Sequence, residues 1–345
     1  MRADILRIGR AALLAALLVA GGNSLAARAQ TGTAPSAAAK ASSSYAKVKT
    51  IDLPGTRGGT GGGVAFDADT ATIWLSQAAN RNLVVIETGA NDVRQVIEGV
   101  DPAREIGFSE HYVFIGDAAD AAALVIGKRS FEKAAALKPV GARPGPVYFD
   151  TRQGQLWVAS AGGEMTVFKA VGRGGFKHLA GLKLHPHPPA GTLGNGLYLP
   201  LKDRLYQPVD DVIDVINPKS LKLEHVWSAA LGGRVTSLAY DAKADRLLAV
   251  GEAAAVVVID ARSGKPVGRA AIRGKAGAIA TDSALRRAYV ADAAGLVEVL
   301  DLDHDALVAS FASEPGVHAL AVDPRTHYVY VYRSRANKLE VFAPR

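Results

Sequence analysis

Asp282-Ser283-Ala284-Leu285-Arg286-Arg287-Ala288-Tyr289-Val290-Ala291-Asp292 decides the fold, because its outline returns along the whole chain. An aspartate opens the stretch, and seven residues later a large apolar or aromatic residue stands inside a short apolar run. The recurring pairs are Asp67 with Trp74, Asp150 with Trp157, Asp241 with Leu248, Asp282 with Tyr289 and Asp323 with Tyr330. Nineteen residues after most of these aspartates a second apolar run ends, at Ile86, Asp260, Asp301 and Phe342. A period of about 40 residues made of strand-length segments is the pattern of propeller blades. The aspartate falls at the first turn of each unit, where its carboxylate accepts a hydrogen bond from the backbone two residues on. It therefore reads as a turn cap and not as a catalytic series.

Each unit divides into four strands, as between Gly61 and Val100: Gly63 to Phe66, Ile73 to Ser76, Leu83 to Glu87 and Val93 to Glu98. Units then fall at 61–100, 101–141, 142–188, 189–233, 234–276 and 277–316. The last stretch holds only three strands, His318 to Val322, Tyr328 to Tyr332 and Leu339 to Phe342. Lys47 to Leu53, which belongs to no repeat, supplies the missing outer strand, closes the ring and hides two sheet edges. The expectation is an all-β chain, a seven-bladed β-propeller of four-stranded blades closed by its N-terminal strand, over residues 47–345.

Two units depart from the pattern. The second has Ser109 in place of the aspartate and a turn shortened by two, which moves Phe114 into the aromatic slot. The fourth puts Leu199 where the aspartate belongs and Tyr206 in the slot, and follows the irregular stretch Leu184-His185-Pro186-His187-Pro188-Pro189-Ala190-Gly191. The cluster Gly58-Gly59-Thr60-Gly61-Gly62-Gly63 lacks the Lys-Ser/Thr of a phosphate loop and reads as a flexible lead into the first blade.

Arg2, Arg7 and Arg10 precede the apolar stretch from Ala11 to Ala20, and Ala27-Arg28-Ala29 follows before Gln30, the layout of a secretory leader over 1–29. Residues 30–46 read as a flexible tether. Cleavage after Ala29 removes four Arg and one Asp, so the formal charge falls from +7 to +4, 36 basic against 32 acidic groups. An exported, periplasmic protein without a membrane span is expected, and a monomer. The absence of cysteine excludes disulfides, thiolate nucleophiles, cysteine zinc sites and covalently held c-type haem.

Val140-Gly141-Ala142-Arg143-Pro144-Gly145-Pro146-Val147, then Asp150, then Leu156-Trp157-Val158-Ala159-Ser160, resembles the repeat of the YVTN family of β-propellers, which includes YncE-like periplasmic proteins. Tyr289-Val290-Ala291-Asp292 is similar to the signature of that family, and Val256-Val257-Val258-Ile259-Asp260 with Gly264-Lys265 to its following strand and turn. The resemblance covers Lys47 to Arg345 and implies a seven-bladed periplasmic propeller, usually of undefined biochemical role, with DNA, peptide or envelope partners suggested for some members. Related propellers include redox-cofactor enzymes and hydrolases of lactones or phosphate esters, but none of their motifs is matched here.

A ligand face is expected where loops lead into the inner strands and join the second strands to the third. The first set carries Arg57, Arg104, Arg143, Arg234, Lys275 and His318. The second carries Asn80, Arg81, Asn82, Asp117, Glu164, Asp210, Asp211, Glu252, Asp292 and Arg335. Converging cations would focus a field on an anionic ligand, with Arg104, Arg143 and Arg234 as first contacts and His318, Asp117 and Asp292 beside them. The alternative is a neutral lining in which the two layers pair. His185 and His187, with His178 nearby, offer imidazoles to a metal. No acid between Gly172 and Leu201 completes that set, so an ordinary loop is the simpler reading. His111, His225, His304 and His327 read as solvated surface, and Trp227, outside the slot, as a candidate exposed ring. Three functions follow in order: a non-enzymatic binder of an anionic ligand or protein partner, needing no cofactor; a metal- or cofactor-dependent propeller enzyme, hydrolase or oxidoreductase; and a DNA binder, disfavoured by 6% aromatic content.

Overall fold

The apolar runs of the repeat form antiparallel strands, and these collect into seven four-stranded sheets. The computed structural model describes residues 44–59, 61–172, 174–185, 192–313, 315 and 319–345. The leader, most of the tether, His187 and His318 lie outside the described residues. Blades one to six cover 64–98, 102–137, 142–183, 197–228, 235–271 and 276–312, each in sequential strand order. Blade seven takes Ala319–Asp323, Tyr328–Arg333 and Lys338–Pro344, and its outer strand is Tyr45–Asp52, which pairs antiparallel with the C-terminal strand from Tyr45 opposite Pro344 to Asp52 opposite Lys338. The closing strand thus starts two residues before its predicted Lys47, and Tyr45 and Ala46 are strand instead of tether.

Period-two alternation sends successive side chains of the second and third strands to opposite faces, so one blade feeds two interfaces. Trp74 packs toward blade two with Val113 and Ile115, whereas its neighbours Ile73 and Leu75 pack toward blade seven with Tyr330 and Val341. Seven buried clusters result, one at each contact between neighbouring blades. Trp74, Phe114, Trp157, Tyr206, Leu248, Tyr289 and Tyr330 are all buried, as the recurring slot requires. Trp227 is partly buried in the blade four to five cluster, tilted against Tyr206 at 5.7 Å, which corrects its reading as an exposed ring.

The turn aspartates cap as expected. Asp150 Oδ1 accepts from Arg152 N at 2.8 Å, Asp282 Oδ1 from Ala284 N at 3.0 Å and Asp323 Oδ1 from Arg325 N at 2.9 Å. Four residues after each cap the backbone turns left-handed, at Ala71, Gly154, Asp245, Arg286 and His327. In blade two Ser109 does the same work through its hydroxyl, which accepts from Tyr112 N at 3.1 Å.

The buried caps also reach the next blade. Lys128 donates to Asp67 at 2.6 Å, Tyr198 Oη to Asp150 at 2.5 Å, and Arg286 to both oxygens of Asp241. His327 Nδ1 stands 2.7 Å from Asp282 Oδ2, so this histidine ties blade seven to blade six and is not merely solvated surface. At the seam Arg325 bonds Asp323 and also Thr88 of blade one, at 3.1 Å. One residue type therefore shapes the turn and joins the blades.

Candidate functional site

The inner strands are rich in glycine, alanine and small apolar residues because the backbones crowd around the channel. A β-carbon added to Gly63 would stand 1.6 Å from the Arg104 carbonyl oxygen of blade two, and one on Gly58 would stand 2.1 Å from the Arg335 carbonyl. Close approach, not flexibility, accounts for these two glycines. The channel that remains is a cavity of about 260 Å³, lined by inner-strand residues of blades one, two, four, five, six and seven.

A larger cavity of about 610 Å³ opens between blades two, three and four, with Arg104, Glu105, Arg143, Pro144, Thr192 and Asn195 in its wall. Arg104, Glu105 and Asn195 border both cavities. The space follows from irregular backbone. Blade four has an inner strand of only three residues, Leu197–Leu199, and ahead of it the chain makes isolated bridges from Leu193 to Val209 and from Asn195 to Ser237 of blade five. Blade three contributes a strand whose register slips between Ala142 and Val147, at a left-handed Arg143 (φ +53°) followed by Pro144 and Pro146. Blade two slips likewise between Pro102 and Ile106. Arg104 and Arg143 therefore sit inside inner strands, not in the loops that lead to them.

Charge at this mouth is unevenly balanced. Arg234 is paired with Glu252 at 3.0 Å, so the neutral-lining reading holds for that residue. Among the described residues Arg104 and Arg143 have no ion pair. Arg104 is exposed at the cavity mouth, yet the protein packed around it and, secondly, the positive charge of Arg234 push its guanidinium below its ordinary value.

Glu105 is the acid of this wall, and the sequence reading did not single it out. Its Oε2 is sealed from water without a hydrogen-bond partner, although the residue as a whole is partly open to the cavity. Burial raises its carboxyl to about 8, so at neutral pH it is mostly protonated. Behind it Tyr148 Oη donates to Gln207 Oε1 at 2.9 Å and accepts from Gly196 N at 2.9 Å. The signal available in the sequence was an ionisable residue within Arg104-Glu105-Ile106-Gly107-Phe108, in the blade that also lacks the turn aspartate.

Asp117 and Asp292 are not among the residues that line this cavity. Asp117 is buried and accepts from Asp101 N at 3.2 Å and Ala119 N at 3.1 Å; Asp292 is buried and accepts from Leu296 N at 3.0 Å. Both shape their own loops, and each leaves Oδ2 without a partner among the described residues. His185 donates its backbone N–H to Asp214 Oδ2 at 2.6 Å, and His178 lies edge-on to Phe168. No group of three metal-ligating side chains occurs among the described residues. No helix among the described residues is long and apolar enough to cross a membrane. The chain matches no protein-family model and no curated protein, so the propeller architecture and the site geometry are what any functional reading rests on.

Proposed function

We propose that the cavity between blades two, three and four captures a small anionic ligand, in an exported propeller that binds and does not catalyse. The observation that carries the reading is the pair Arg104 and Arg143, which border one cavity without a counter-ion among the described residues. A guanidinium offers a planar fork of donors to a carboxylate or phosphate. Low-dielectric walls strengthen that attraction, and about 610 Å³ falls within the roughly 300–1,000 Å³ of small-molecule sites. The likeness of the blade motifs to the YVTN repeat of YncE-like proteins, and the leader-like N-terminus, support an exported binding role over an intracellular one.

Calorimetric titration of the mature protein with succinate and with inorganic phosphate tests the reading. Saturable binding should be lost in Arg104→Ala plus Arg143→Ala while the melting temperature holds. No binding by the unaltered protein, or a double variant that loses stability in step with binding, would overturn it.

A further inference from the structure

The cavity presents two chemistries. Arg104 and Arg143 carry uncompensated positive charge, and between the cavity and the central channel Glu105 holds a carboxyl oxygen that is out of water and without a hydrogen-bond partner. A buried acceptor without a partner is costly, and in the wall of a cavity a ligand that brings a donor removes that cost. A simple carboxylate satisfies the arginines but brings no donor to Glu105. A ligand with an anionic group at one end and an ammonium at the other satisfies both.

Resting on the anion-capture reading above, we propose that the ligand is an amino-carboxylate zwitterion, with its carboxylate held by Arg104 and Arg143 and its ammonium donating to Glu105. The ammonium pairs best with ionised Glu105, so the carboxyl proton is released to solvent as the ligand enters. The ionisable groups around it are few: Tyr148 from blade three interacts with it directly, Arg104 and Arg143 share the cavity wall, and Arg234 acts on Arg104. Burial raises the Tyr148 hydroxyl well above its ordinary value, so it stays neutral across the pH range in which Glu105 titrates. Thr192 and Asn195, from the blade-four side, bring no charge.

Titrating the mature protein with 5-aminopentanoate and with pentanoate tests this. The amine of the first stays protonated to pH ~10, as a lysine does. The amino compound should bind on the order of tenfold tighter, and Glu105→Gln should remove that difference while leaving pentanoate affinity in place. Between pH 7 and 9, affinity for the amino compound should rise by roughly tenfold as Glu105 ionises, and affinity for pentanoate should fall. The pH profile of the unaltered protein carries the test should the variant fail to fold. Equal binding of both compounds, lost together in Arg104→Ala plus Arg143→Ala, would leave anion capture standing and overturn the zwitterion. Pentanoate binding that depends on Glu105 as strongly as the amino compound does would overturn it too, by making the acid a proton donor to the anion. Binding of neither compound would overturn the zwitterion and, together with no binding of succinate or phosphate, would remove anion capture too.

Discussion

Arg286 of blade six grips Asp241 of blade five with both ends of its guanidinium, Nη1 to Oδ1 at 2.5 Å and Nη2 to Oδ2 at 3.0 Å. The aspartate is fully buried, and Arg246 adds a bond to Oδ2 at 3.0 Å. Arg286 also stands at the left-handed position of its own turn, where φ is +55°. One side chain thereby couples the reversal in one blade to the cap of the blade before it. Removing it strands a buried carboxylate that Arg246 only half compensates, so Arg286→Met should destabilise the protein by roughly 3 kcal/mol. Urea denaturation measures this, and a loss within the few tenths expected of a surface pair would show the grip to be incidental.

Acid should weaken the same junction. Burial alone would raise the Asp241 carboxyl, but the bonds from Arg286 and Arg246 outweigh it and hold it at about 2. A carboxylate whose folded value lies below its unfolded value adds stability above the unfolded value, and this is lost as pH falls through the folded one. The contribution, on the order of 2 kcal/mol, is therefore complete above about pH 4 and gone near pH 2. Comparing Asp241→Asn with the unaltered protein across pH 2 to 6 should show curves that converge at the acid end; parallel curves would refute the assignment.

Glu105 should act in the opposite sense. Its folded value of about 8 lies above the ordinary 4.5, so the folded state keeps a proton that the unfolded state releases, and stability declines as pH rises from 4.5 to 8. Because the residue is partly open to the cavity, the penalty is discounted to about 2 kcal/mol. Glu105→Gln should match the unaltered protein at pH 4 and exceed it at pH 9 in chemical denaturation. A constant difference at both pH values would mean that the carboxyl is not held neutral. A gain in stability on losing a site acid is the trade expected where binding, not folding, retains the residue.

Gly63 sets the approach of blades one and two beside Arg104. An added β-carbon 1.6 Å from the Arg104 carbonyl oxygen forces the two backbones apart. Gly63→Ala should cost roughly 1–3 kcal/mol as overpacking and weaken ligand capture by displacing Arg104. Unchanged binding in a correctly folded variant would separate this junction from the site.

Most of the blade architecture was legible because its causes are local. The Asp150 cap reaches Arg152 two residues on, and the alternation of Ile73, Trp74 and Leu75 between two interfaces is a period-two pattern within one strand. The closing strand, too, announced itself as a strand-length segment without a repeat of its own. The site was far less legible. Arg104 and Arg143 were named from the sequence, but as loop residues, because the register slips that place them within strands have no local signature. Glu105 was missed because a single acid in an inner strand stands out only when its neighbours in space are known. For Asp117 and Asp292 only the structure shows that one carboxylate oxygen of each is committed to backbone N–H groups of nearby loops.

By itself the sequence determined the number of blades, the order of their strands and the manner of closure, since turn caps and alternating burial act between residues a few positions apart. Tertiary structure decided which distant side chains meet: His327 with Asp282, Arg286 with Asp241, and Arg104 and Arg143 around one cavity with Glu105 between it and the channel. Those meetings depend on the closed ring, which brings side chains from separate repeats within reach and withdraws several of them, Asp241, Asp282 and part of Glu105, from water. Charge and protonation at the mouth follow from that sealing, because desolvation is a property of the assembled surroundings and not of the residue.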